Sequence, residues 1–178
     1  MLMSTRFATL LLGSIAVASC SDASLGTDRN LGERTGRLGA VEAVVRQEEQ
    51  NADGTITFAL RVRARDVSVS AFQGRVAFAR GAFELVSVNS AQGGAAEMYL
   101  VNPSGFAAGT IRFAAFTTNS FSAANSEDGV EVMRVVVRPL RSLVPSDVGP
   151  VLEAVAGPDG AAPKASGGLA TGAAGRSS

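Results

Sequence analysis

From Thr55 to Arg65 apolar and polar residues alternate. Ile56, Phe58, Leu60, Val62 and Ala64 share one parity, while Arg61, Arg63 and Arg65 share the other. A period of two puts successive side chains on opposite faces of an extended chain, so this pattern predicts a strand with one buried and one wet face. Between Val67 and Val88 the parity changes. Val67 and Val69 oppose Ser68 and Ser70, but Phe72, Val76 and Phe78 continue the apolar set one residue out of step. A shift of one residue exchanges the faces, so either two strands meet near Ala71 or one strand carries a bulge there. Arg80-Gly81-Ala82 turns the chain, and Phe83, Leu85, Val86 and Val88 form the next apolar run.

The same reading extends in both directions. Val41, Ala43 and Val45 alternate with Glu42, Val44 and Arg46 as a first strand, followed by the polar run Gln47 to Asn51, read as a solvated loop, and the turn Asp53-Gly54. A short apolar piece spans Met98 to Val101, and Asn102-Pro103-Ser104-Gly105 is a turn. Gly109 to Thr118 points Ile111, Phe113 and Ala115 inward and Arg112 and Ala114 outward. Asn125 to Gly129 reads as a hairpin turn. Val130 to Arg138 is apolar on both parities, as in a central or doubly covered strand, and Pro139 stops it. Val151 to Ala156 is the last strand. No amphipathic helix of ordinary length follows Cys20. Short strands separated by Gly, Pro and Asp turns predict an all-β, two-sheet antiparallel sandwich.

The ends read differently. Phe7 to Val17 is apolar, follows Arg6, and is too short for a permanent membrane span. Val17-Ala18-Ser19-Cys20 then resembles a bacterial lipobox, in which the cysteine is acylated and becomes the new N-terminus. Residues 1–19 are thus expected to be a cleaved signal helix and Cys20 the lipidation site. The tether is expected over residues 20–37, the sandwich over 38–157 and a disordered low-complexity tail over 158–178. Ser21 after the cysteine favours outer-membrane sorting.

Composition narrows the chemistry. Sixteen basic residues balance sixteen acidic ones, so no basic field recruits nucleic acid. The chain of 178 residues has no histidine, no tryptophan, one tyrosine (Tyr99) and one cysteine (Cys20). That inventory excludes Ser-His and Cys-His dyads, histidine-ligated metals and an internal disulfide. Asn51 with Asp53, and Asn125 with Glu127 and Asp128, could offer oxygens to Ca²⁺, but neither turn has the spacing of a dedicated loop. No cofactor or metal is implied, and the acids fall on turns and outward strand positions rather than as a cleft pair. The chain is expected not to be an enzyme.

Several segments resemble the cohesin domain and its relatives among bacterial β-sandwich modules. These are Asp53-Gly54-Thr55-Ile56-Thr57-Phe58-Ala59-Leu60; Val69 to Phe78 with Phe83-Glu84-Leu85-Val86-Ser87-Val88; Gly109-Thr110-Ile111-Arg112-Phe113; and Asp128-Gly129-Val130 to Val137. The resemblance covers about Leu38 to Gly157 and implies a cohesin-like jelly roll. It speaks for architecture more than for ligand. Ala79-Arg80-Gly81-Ala82 replaces the family's Tyr-Asp-Pro, so recognition of a dockerin itself does not carry over.

The resulting expectation is a non-catalytic, membrane-anchored lipoprotein whose sandwich binds a protein partner, such as a dockerin-like envelope protein. The alternative is a carbohydrate-binding module taking a cell-surface polysaccharide. Candidate ligand-facing residues are the arginine row Arg61, Arg63 and Arg65, together with Tyr99 and Phe106. Phe116 and Phe121 are further rings near loops that could serve the alternative.

Overall fold

The computed structural model describes residues 31–91 and 96–162, so the leader, Cys20 and most of the tail lie outside the described residues. Within them, nine antiparallel strands form two sheets. They are β1 (Glu33–Leu38), β2 (Val41–Gln50), β3 (Ile56–Ala64), β4 (Ala71–Phe78), β5 (Phe83–Ser90), β6 (Met98–Asn102), β7 (Thr110–Phe116), β8 (Val130–Pro139) and β9 (Val148–Ala156). One sheet has the order β1-β2-β3-β8-β5 and the other β6-β7-β4-β9. The fold is the two-sheet antiparallel sandwich that the alternation predicts.

The inward parities meet between the sheets. Phe58, Leu60 and Val62 of β3 and Val135 and Val137 of β8 face Phe72, Val76 and Phe78 of β4 and Ile111 and Phe113 of β7, all buried. Two aromatic groups fill the ends of this layer. Phe78 stands between Phe58, Phe83 and Phe106 at centroid distances of 6.5, 5.7 and 5.2 Å, and Phe72 packs on Phe113 and Phe121 at 6.4 and 5.1 Å. Edge-on and tilted pairs at such separations suit the ring quadrupoles.

The parity puzzles have backbone causes. Val67 to Ser70 belongs to no strand. Asp66 takes a φ of 56°, and the chain then crosses from β3 to the second sheet with Val67 and Val69 buried before β4 begins at Ala71. Along β8 the register against β3 slips between Leu60 and Arg61, so Val132 is an extra residue and both it and Met133 are buried. A bulge, rather than cover on two sides, accounts for this run of apolar residues.

Four boundaries differ from the sequence expectation. Residues 33–37, expected within the tether, pair with β2 as part of β1, and Gly36 lies so close to β9 that an added Cβ would sit 2.2 Å from the Pro150 carbonyl oxygen. β1 thereby closes one side of the sandwich. Gln47 to Gln50, expected as a loop, continue the β2 ladder across a bulge; Gln47, opposite Phe58, accepts the Leu31 N–H at 3.0 Å, and Glu48, Glu49 and Gln50 are exposed. β9 starts at Val148 and carries Pro150, which is tolerated because β9 ends its sheet and has a ladder partner on one side. Finally, residues 158–161 form a turn in which the Gly157 N–H donates to the Ala161 carbonyl at 2.8 Å.

Candidate functional site

The two outer faces of the sandwich have opposite chemistry. On the five-stranded sheet the arginine row points outward as expected, but each member meets a carboxylate. Arg61 lies 3.3 Å from both Glu48 and Glu131 and 3.9 Å from Asp128; Arg63 pairs with Glu33; Arg65 lies 3.1 Å from Glu42, which Arg37 also contacts at 2.6 Å. Arg134 links Glu48 and Glu131 at 2.9 and 2.8 Å. Its guanidinium is the main cause holding the Glu131 carboxyl below the usual carboxylate range, against the opposing effect of burial. Under this lattice Val44 and Ala59 are almost wholly buried on the outward parity, covered by the long side chains. All three arginines of the row are engaged in this ion-pair network.

Tyr99 and Phe106 are not displayed either. Both are partly buried and pack against the core, Phe106 on Phe78. Burial first, and the Glu131 carboxylate second, push the Tyr99 phenol above its ordinary pKa. Of the other loop rings, Phe121 is buried and Phe116 is exposed. The oxygen-rich turns are spent locally. Asp53 Oδ1 accepts from the Thr55 N–H at 3.0 Å and the Thr55 hydroxyl at 2.7 Å, and among the described residues no group of three or more ligands is placed to hold a metal.

The four-stranded sheet presents the contrasting face. Its register aligns outward residues in rows across β6, β7, β4 and β9. The first row is Met98, Phe116, Ala71 and Ala156; the second is Leu100, Ala114, Gln73 and Ala154; the third is Asn102, Arg112, Arg75 and Val151. With strands ~4.8 Å apart and alternate residues ~6.8 Å apart, two rows make a floor roughly 14 Å by 7 Å, apolar except for Gln73. Met98, Leu100 and Phe116 are 52, 58 and 46 % exposed on it. A groove of about 490 Å³ runs over these rows, lined also by Ala71, Ala114, Ala154 and Ala156, and reaches Gly160 in the turn after β9. The low alanines let an incoming surface approach the sheet, and the longer Met98, Leu100 and Phe116 stand around them.

The third row changes the character of the face. Arg75 lies 2.6 Å from Glu153, the extra residue of a bulge where the β4–β9 register slips between Gln73 and Gly74. Gly74 is required there, since a Cβ would sit 2.2 Å from the Val151 carbonyl and 2.8 Å from the Phe113 ring. Arg112 is directly opposite Arg75. A second groove, about 380 Å³, lies over this end and is lined by Leu100, Asn102, Arg112, Gln73 and Glu153.

The alternation alone puts Arg112 and Ala114 on the outward parity and shows an apolar piece at Met98 to Val101, without joining them into one site. The available signal was apolar residues on the solvent parity of neighbouring strands, at Met98, Leu100 and Phe116. Their neighbourhood depends on which strands pair, which local pattern does not reveal.

No protein-family model matches the chain, and no curated protein matches it. Among solved structures the chain is similar to a cohesin module of a family 33 glycoside hydrolase from Clostridium perfringens, at 16 % identity and a TM-score of 0.40, over 62 % of this chain and 73 % of that one.

Proposed function

We propose that this chain is a non-catalytic binding module, anchored in a bacterial envelope, on the outer-membrane side, through acylated Cys20, and that the outer face of the β6-β7-β4-β9 sheet docks a protein partner. The observation that carries the reading is the convergence of exposed Met98, Leu100 and Phe116 on one alanine-floored face, while the opposite sheet clothes its outward surface in ion pairs. A contiguous apolar patch rimmed by polar residues is what protein interfaces present, and leaving it in water costs solubility unless something covers it. The anchor rests on the leader and lipobox. The absence of histidine from the sequence removes the commonest catalytic bases.

A polysaccharide would be expected to use ring platforms. Phe116 offers one ring on this face, between Met98 and Ala71 rather than beside a second aromatic. Capture from an envelope extract by the full chain, compared with Leu100→Lys and run beside a glycan array, tests the proposal. The expected result is a protein retained by the wild type and lost with Leu100→Lys, and no glycan signal. A glycan signal abolished by Leu100→Lys would replace this reading with the carbohydrate one.

A further inference from the structure

We propose that Arg112 is the specificity determinant of this face, seating an aspartate or glutamate of the partner whose apolar neighbours lie on Leu100 and Ala114. This rests on the reading of the face as a protein-docking surface. Like charges directly opposite one another on adjacent strands repel, and elsewhere the ladders avoid this by placing Arg37 and Arg63 opposite Glu42, Arg61 opposite Glu131 and Arg138 opposite Glu84. On the docking face Arg112 instead stands opposite Arg75. Glu153 takes up Arg75, and the Arg112 side chain makes no ion pair or hydrogen bond with any described residue. Arg75, Arg112 and Glu153 are the charged residues of this sheet's strands, so the face carries one uncompensated positive charge at the border of its apolar rows.

The surroundings suit a carboxylate. Asn102 beside Arg112 uses its Oδ1 to accept the Ser104 N–H at 3.0 Å, which leaves its amide N–H groups to donate. The groove over Arg112 continues the apolar groove, sharing Leu100, Gln73 and Ala114 with it. A carboxylate entering with apolar neighbours would meet a guanidinium fork suited to two parallel hydrogen bonds, in a place those neighbours dry. Water exclusion strengthens the pairing.

The test is selection of randomised twelve-residue peptides displayed on phage against the full chain in detergent, as wild type, Arg112→Glu and Leu100→Lys. Wild type should enrich peptides with an acidic residue at a fixed offset from apolar ones, and Arg112→Glu should enrich lysine or arginine at that offset. For a selected acidic peptide, Arg112→Ala should weaken binding about ten- to hundredfold, as expected for a charge-assisted pair, with Arg112→Lys recovering part of the loss. If Leu100→Lys abolishes binding while Arg112→Glu leaves the consensus unchanged, the docking face stands and the role of Arg112 is refuted. If Leu100→Lys changes nothing, or if no peptide is enriched, both fall. Two other results also overturn the assignment to a partner's acid. One is Arg112-dependent binding to phosphatidylglycerol vesicles without peptide binding. The other is a wild-type dimer that Arg112→Glu dissociates, which would make the occupant a second copy.

Discussion

Truncating Phe78 to alanine probes the layer on which both sheets depend. The ring is 5 % exposed and contacts Phe58, Phe83 and Phe106, so it joins β3, β4 and β5 with the turn before β7. Removing a buried phenylalanine costs about 3–5 kcal/mol in lost transfer energy and residual cavity. Aromatic pairs add about 0.5–1.5 kcal/mol beyond area, which places this site in the upper part of that range. Total stabilities are about 5–15 kcal/mol, so the melting temperature should fall by roughly 10–20 °C. Arg75, three residues earlier on the same strand, is the internal control. Its side chain is 41 % exposed and its partner Glu153 is 28 % exposed, so solvent screens the pair. Arg75→Ala should cost no more than about 1 kcal/mol, and it also relieves the repulsion of Arg112 across the ladder. Calorimetric melting of both variants, with circular dichroism to confirm the folded state, measures the difference. Equal melting temperatures, or a larger loss for Arg75→Ala, would refute the register of β4 and the packing built on it.

Gly36→Ala should destabilise by about 1–3 kcal/mol, because its new Cβ meets the Pro150 backbone; hydrogen exchange should quicken in β1 and β9 first, and unchanged exchange there would contradict closure of the sandwich by β1. Asp147 accepts from Arg141 at 2.7 and 2.9 Å and from the Val144 N–H at 2.8 Å, and the Arg141 pairing is the main cause holding its carboxyl below the usual range, against the opposing effect of burial. A depressed native pKa stabilises above the unfolded value, about 3.9, and that contribution is lost as the pH falls through the native value. Melting temperature should therefore fall less steeply below about pH 4 in Asp147→Asn than in wild type, and parallel curves would exclude the linkage. Cys20→Ala should abolish acyl labelling and leave an uncleaved precursor or a soluble form; a processed variant still partitioning into detergent would contradict the anchor.

Much of the sandwich was legible because burial on one face writes itself as alternation. Ile56 to Ala64 and Ile111 to Ala115 show it, and both lie in the core as expected. Misreadings arose where something other than burial decides. β1 has an exposed, polar pattern and is held by its ladder to β2 and its approach to β9, neither of which leaves an apolar period. Gln47 to Gln50 are in a strand for the same reason. The Val132–Met133 pair follows from a bulge whose position depends on β3. For the site, the outward arginines were correctly oriented, but their ion pairs are made with residues as distant in sequence as Glu33 and Glu131. The apolar face exists because four strands separated along the chain lie side by side.

Site-directed photocrosslinking tests the docking face most directly. A benzophenone amino acid is placed at Leu100 or Phe116 on that face, or at Val86, which is also apolar and 48 % exposed but belongs to the other sheet. The full chain carrying each is irradiated in envelope extract. The proposed interface predicts one common protein adduct from Leu100 and Phe116 and none from Val86. An adduct from Val86 alone, or the same adducts from all three positions, would show that general stickiness or another surface governs binding and would contradict the assignment.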